Sequence, residues 1–263
     1  MLPMLTLIAV SLYLIASQWQ LKRIAHQNSG PRSRIQLFGA AALALQWIVT
    51  AKLIVQVDSI NLSFFVAGSL ISSAVVAILL FSSLRHKLDN LFVGAFPMAA
   101  ITLALGSLFQ GTPSTSDIST GVLVHITLSV LAYSLFTLAA LQALLLSQQD
   151  KALKNHTTRG LLHSLPPLQV MESLLFEMIA AGEILLTLAL MTGFFYTDDL
   201  FAQHLVHKTL LSIAAWVIFA ILLVGRTMFG WRSRTALRWT LSGFSLLMLA
   251  FFGSKAVLEL ILG

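Results

Sequence analysis

Leu62 to Leu84 reads LSFFVAGSLISSAVVAILLFSSL, a run without a single Asp, Glu, Lys or Arg. Its apolar residues do not alternate with a two-residue period. Its length meets the roughly 20 residues that an α-helix needs to cross about 30 Å of hydrocarbon. A barrel strand would be about half as long, with lipid-facing and lumen-facing positions in alternation, so the stretch reads as a transmembrane helix. Runs of the same kind lie on both sides of it: Leu2 to about Gln18, Ile35 to Val57, Leu91 to Gln110, Gly121 to Ser147, Leu168 to Tyr196, Leu205 to Gly225, and Leu237 to about Leu262. The sequence therefore predicts an all-α polytopic bundle of about eight helices. Polar Gly111 to Thr120 separates four spans in 1–110 from four in 121–263, and no long hydrophilic block interrupts either set. The expected organisation is a single membrane domain, 1–263, with no soluble catalytic part.

Composition agrees. The chain is 57% hydrophobic and 10% charged, a balance for which a soluble domain of 263 residues has too little polar surface. The net charge of +6 and a pI near 10.0 invite a nucleic-acid reading. The basic residues, however, sit in short loops between apolar spans, where membrane topology accounts for them and nucleic acid is not expected. The absence of cysteine excludes disulfides, thiolate metal sites, thiol redox chemistry and a covalent c-type haem attachment motif in this chain.

The charges also assign sides. One set of alternate loops carries Lys22, Arg23, Arg32 and Arg34, then Arg85 and Lys87, then Lys151, Lys154 and Arg159, then Arg226, Arg232, Arg234 and Arg238. The opposite loops hold Asp58, Asp117, Asp198 and Asp199, with Lys208 at a margin. The positive-inside rule counts Lys and Arg, so the first set faces the cytoplasm and both termini face outward; Asp89 and Asp150 do not alter this. Lys22 and Arg23 follow the first apolar run rather than preceding it, the reverse of a cleaved signal peptide. The expected location is a cytoplasmic-type membrane, with the lipid bilayer as the first partner.

Two groups of residues bear on chemistry. His125 opens the fifth span, and His204 and His207 lead into the seventh. Neutral imidazoles are good ligands for haem iron or a transition metal, and two helices carrying them at one depth can grip a planar cofactor. Interfacial histidines also sit in the headgroup zone or cap helices, and spacing does not separate these readings. His204 and His207 with Asp198 or Asp199 form a further metal-binding alternative. His26, His86, His156 and His163 fall in basic loops and read as solvated. The second group is Glu177, Glu183 and Lys52, which fall within spans where an ionised side chain costs several kcal/mol unless it pairs, snorkels or meets water. Glu172 and Glu183 are nearly on one helical face and Glu177 is not. A carboxylate track for protons or cations, pairing with Lys52, and neutralisation in the bundle are the alternatives. Lys255 and Glu259 read as a local i,i+4 pair, and Trp231, Trp239 and the neighbouring arginines as an interface anchor.

Several segments in the second half carry a family pattern. His125-Ile-Thr-Leu-Ser-Val-Leu-Ala-Tyr133 is similar to a histidine-led helix, and Gly182-Glu-Ile-Leu-Leu-Thr-Leu-Ala-Leu-Met-Thr-Gly193 follows GFxLLTLGxxTG. Lys208-Thr209-Leu210 stands where KET is found. Gly230-Trp-Arg-Ser-Arg234, Gly243-Phe244 and Phe251-Phe252-Gly253 resemble GWRGRR, GF and YFG signatures. In order and spacing, these spans resemble the cytochrome c assembly superfamily typified by CcsA, ResC and CcmC, nearest its YpjD-like branch. The resemblance covers about half the chain; the first four spans match in hydropathy and number.

The resemblance implies haem handling at the outer face during cytochrome c maturation, with His125 as the first flanking ligand. The outer segment Tyr196 to Phe201 lacks the family's tryptophan motif, Gly253 to Gly263 contains no histidine, and the family's membrane histidine falls on Val224. His204 or His207 would then supply the replacement axial ligand. The expected function is that of a non-enzymatic haem-handling or assembly accessory protein, with cofactor-binding residues His125, His204 and His207, and haem or other assembly proteins as partners. The alternatives are an ion or small-solute transporter, or transport-associated subunit, using Glu177, Glu183 and Lys52, and a structural relative that has lost the cofactor.

Overall fold

The computed structural model describes residues 1–26, 31–56, 59–86, 88–109, 111, 119–154, 166–196 and 203–256. Eight helices are long and apolar enough to cross a membrane, as expected: α1 Leu2–His26, α2 Arg32–Ile54, α3 Phe64–Ser83, α4 Phe92–Leu108, α5 Thr120–Lys154, α6 Leu168–Tyr196, α7 Gln203–Phe229 and α8 Ser233–Met248. A 3-10 turn, Asp89–Leu91, leads into α4. A π-helical turn, Leu249–Gly253, continues α8 into a last helical turn, Ser254–Ala256.

Helices outrun their apolar cores because backbone hydrogen bonding does not stop where hydropathy falls. Helix α1 carries Lys22 and Arg23 to His26. Helix α5 runs 35 residues to Lys154, about 52 Å, and an i,i+4 pair between Lys154 and Asp150 at 2.7 Å sits on its last turn. Helix α2 instead ends three residues before the expected Val57. Val55–Gln56 (β1) pairs antiparallel with Ser59–Ile60 (β2), Val55 opposite Ile60, and the Asn61 N–H donates to the Ile54 carbonyl at 2.8 Å. β-Branched Val55 and Ile60 suit an extended pair. This pair is the sole departure from an all-α fold among the described residues.

The chain divides into two compact units, with a boundary between Ser116 and Asp117; α1–α4 belong to the first and α5–α8 to the second. In the first, α1 packs on α2 and α4, and α3 on the same two helices. Ala9, Val49, Leu53, Val66 and Leu103 form its apolar centre. Beside them lies a buried network of neutral polar groups. Tyr13 donates to Gln46 Oε1 at 2.7 Å. Gln46 Nε2 donates to the Ser69 carbonyl at 3.1 Å and to Ser72 Oγ at 3.1 Å. Ser72 meets Thr102 at 2.6 Å, and Thr50 meets Ser69 at 2.9 Å. At one end Arg32 pairs with Asp89 at 2.9 Å and Arg23 stands at 3.8 Å, so the α1–α2 and α3–α4 connections lie on the same side, as the charge pattern requires.

In the second unit α5 packs on α6 and α8, and α7 on α6 and α8. Its centre is a stack of Phe136 on Phe219, with ring centroids 4.0 Å apart and planes at 15°. Glycines back both rings. A Cβ on Gly182 would lie 3.1 Å from Phe136, and one on Gly243 would lie 2.8 Å from Phe219. Tyr133 donates to the Leu247 carbonyl at 2.9 Å, which ties α5 to the end of α8.

Candidate functional site

Side-chain contacts fix which ends of the second unit meet. His125, in the second turn of α5, reaches Ala189 and Gly193 near the end of α6. Arg226, near the end of α7, reaches Glu172 near the start of α6. Lys208, early in α7, reaches Phe251 in the π turn. One end of the unit therefore gathers the start of α5, the end of α6, the start of α7 and the π turn; the other gathers Glu172, Arg226 and the α7–α8 connection.

At the first end, the half-buried His125 places Nδ1 2.7 Å from the Ala189 carbonyl oxygen. A carbonyl only accepts, so Nδ1 carries a proton, and in the neutral ring Nε2 keeps its lone pair. Gly193 makes room for the ring: a Cβ there would sit 3.0 Å from the imidazole Cε1. An imidazole whose Nδ1–H is held by a carbonyl, with Nε2 available, is the arrangement of a metal-ligating histidine. His207 lies exposed on the early part of α7. His204 lies on the first turn of α7, with its side chain outside the described residues, as are Asp198 and Asp199. No group of three or more His, Cys, Asp or Glu side chains able to hold a metal ion occurs among the described residues.

Two lysines join this end, one of which the sequence reading paired only with Glu259. The Lys208 ammonium lies 5.3 Å and the Lys255 ammonium 5.6 Å from the centroid of the Phe251 ring, within cation–π range. Tyr133 packs on the same ring, with centroids 5.8 Å apart. The available sequence signal was the KET-like position of Lys208 beside the Phe251-Phe252-Gly253 segment.

At the opposite end, Glu172 is buried and lies 3.7 Å from Arg226 and 3.5 Å from Arg232. The Arg226 guanidinium also sits 4.8 Å from the centroid of Phe176, one turn along α6. The Gly-Trp-Arg motif builds this corner. Gly230 has φ +64°, a left-handed conformation that closes α7 at low steric cost only for glycine. Trp231 folds back over Gly225 and packs on Trp239 at 5.3 Å, and Arg232 is carried to Glu172. Trp231 is thus a packed corner residue as well as an interface aromatic.

Of the three intramembrane candidates, Glu177 is exposed on α6 and Lys52 is exposed in the last turn of α2. Glu183 is buried, and among the described residues neither carboxylate oxygen has a hydrogen-bond partner. Glu172 and Glu183 share the buried side of α6 while Glu177 does not, as their spacing predicts. One turn beyond Glu183, Thr187 Oγ1 donates to the Glu183 backbone carbonyl at 2.7 Å and accepts from the Trp216 indole at 2.9 Å. The α6 face toward α7 therefore carries Glu172, Glu183 and Thr187 in order.

Residues 34–262 match the family described as Cytochrome C assembly protein. The match takes in α2 to α4 as well as the second unit, and so extends beyond the half of the chain in which motifs were read. The chain is 33% identical over 263 residues to the Inner membrane protein YpjD of Escherichia coli (strain K12), covering 99% of this chain and 100% of that protein. It is 36% identical over 144 residues to an uncharacterized 28.8 kDa protein in the nifR3-like 5' region of Azospirillum brasilense, 53% of this chain and 52% of that one. It is also similar to Protein HemX of Brevibacillus brevis, with 26% identity over 159 residues and 58% of each chain covered. No solved structure gives a significant match. With eight spanning helices and a full-length inner-membrane relative, this is a multi-pass protein of the bacterial inner membrane.

Proposed function

We propose, from the premise that this chain belongs to the cytochrome c assembly protein family, that it holds haem at the outer face of the inner membrane and acts as an accessory of cytochrome assembly, without turnover of its own. The observation that supports this most directly is His125, with Nδ1–H fixed on the Ala189 carbonyl at 2.7 Å and Nε2 available. Family membership and the partial likeness to Protein HemX support the choice of haem. The positive-inside rule supports the outer assignment, because the end opposite His125 carries Arg226, Arg232, Arg234 and Arg238. By the same rule both termini face outward.

The donor set fits the group at one axial position. His125 supplies a neutral imidazole of fixed tautomer, and His204 or His207 supplies the second. Haem bound there would contribute its iron as the acceptor of two imidazole lone pairs and its propionates as anions. Lys208 and Lys255 stand at the same end of the unit, with positive charge for such anions.

The test is the absorption spectrum of the full chain purified in mild detergent from haem-replete cells. Soret and alpha bands of a low-spin, bis-imidazole species are expected, shifted or lost in His125→Ala. Loss in the double variant His204→Ala/His207→Ala would place the second ligand on α7. Wild type that carries no haem and takes up none on addition would overturn the reading. So would a spectrum untouched by all three substitutions.

A further inference from the structure

Glu183 lies 15 positions beyond Leu168, the first residue of the 29-residue α6, and so close to its middle. Its side chain is 9% exposed, and both carboxyl oxygens are without hydrogen-bond partners among the described residues. The neighbours explain why. Gly182 backs the Phe136 ring, which stacks on Phe219. The Thr187 hydroxyl has already committed its proton to a backbone carbonyl and receives the Trp216 indole. Charged groups on the surrounding helices stand toward the ends. On α6 itself, Glu172 is paired with Arg226 and Arg232, about 16 Å away along the axis, and Glu177 is exposed. Helix α7 carries Lys208 and Arg226 near its two ends. Helix α5 has no charged residue between His125 and Asp150, and α8 with its π turn has none between Arg238 and Lys255.

We propose that Glu183 is a proton-binding site within the membrane: its carboxylate takes up one proton to become the carboxylic acid and returns that proton when water reaches the group. Three occupants were weighed by their chemistry. A cationic partner side chain would show as an ion pair, and none reaches Glu183 among the described residues. A metal cation needs about six or more oxygen ligands for Ca²⁺ or an octahedral set for Mg²⁺, and on α6 the side-chain hydroxyl one turn from Glu183 is that of Thr187, already engaged. A proton requires no coordination shell, and it removes the charge that costs several kcal/mol in such surroundings. The inference concerns mid-bundle chemistry and stands independently of haem at His125.

The experiment uses dicyclohexylcarbodiimide, an apolar reagent that reacts with carboxylic acids from within the lipid phase. The acid adds across one N=C bond: a carboxyl oxygen bonds to the central carbon, the acid proton moves to nitrogen, and acyl migration from oxygen to nitrogen gives a stable N-acylurea. Full-length protein in liposomes is treated at a series of pH values and the adduct is mapped by peptide mass spectrometry. The expected result is a single adduct at Glu183, formed more slowly as pH rises, absent in Glu183→Gln and present in Glu177→Gln. No adduct at Glu183, or labelling suppressed by sodium or by a divalent cation, overturns the proposal. Should Glu183→Gln fail to fold, the infrared spectrum of wild type decides. A protonated-carboxyl stretch that shifts in deuterium oxide supports the site, and its absence at mildly acidic pH refutes it.

Discussion

The two four-helix units differ in the polar groups they bury. In the first, Tyr13, Gln46, Thr50, Ser69, Ser72 and Thr102 close a network in which each member has a partner. All are neutral, so the network links helices without desolvating a charge. In the second, beside satisfied contacts such as Tyr133 to the Leu247 carbonyl, a buried carboxyl has both oxygens unpartnered among the described residues and a half-buried imidazole at one end leaves Nε2 available. Satisfied polar networks specify packing. Groups held without partners raise the free energy of the fold, and sites of chemistry are where such groups concentrate. The proposed haem and proton sites accordingly both lie in the second unit.

The largest effect should come from the stack that centres the second unit. Phe219→Ala removes the partner of Phe136 and leaves a cavity between Gly182 and Gly243, costing about 3–5 kcal/mol. Detergent-titrated or thermal unfolding of the purified protein would register this, and an unchanged midpoint would mean that the stack does not hold the unit together.

Gln46→Leu and Glu183→Leu break the comparison directly. The first strands the Tyr13 hydroxyl, while Ser69 and Ser72 keep their other partners, and should destabilise by about 1–3 kcal/mol. The second removes a group that has no partner to strand, and should be neutral or stabilise by up to about 1 kcal/mol. Equal destabilisation by both, measured side by side, would show that Glu183 is tied into the fold as Gln46 is.

Glu172→Gln probes a buried, paired carboxyl of the second unit. Arg232 is 63% exposed and Arg226 26%, so screening limits the loss to about 1–2 kcal/mol, between surface and buried pairs. The wild-type midpoint should fall with added salt more steeply than that of the variant. Smallest is Lys154→Ala, which breaks a pair at the exposed end of α5 and should cost about 0.3–0.5 kcal/mol.

Eight helices were legible because each apolar run exceeds what a soluble core needs. Glu172 and Glu183 on one face, with Glu177 off it, followed from 3.6-residue geometry. Other contacts join residues far apart in sequence, and the register of antiparallel helices sets them. Hydropathy is silent on whether Arg226 meets Glu172 or whether Gly193 admits His125. Val55 was absorbed into an apolar run because hydropathy scores β-branched residues alike in helix and strand. Of the proposed histidine set, only His125 and His207 have described side chains, and His125 alone has a defined partner.

The π turn at Leu249–Gly253 has a consequence for angular phase. A regular helix turns about 100° per residue, so Lys255 would stand some 80° around the axis from Leu247. A wide turn absorbs one extra residue without adding its rotation, which brings the two to within about 20°. Leu247 faces Tyr133, and the shift swings Lys255 onto that same side, where it reaches the Phe251 ring. The extra residue thus works as a phase adjuster: with every residue kept, regular winding would turn Lys255 about 80° from the Leu247 side, whereas deleting Ala250 would restore regular winding and keep the lysine in phase.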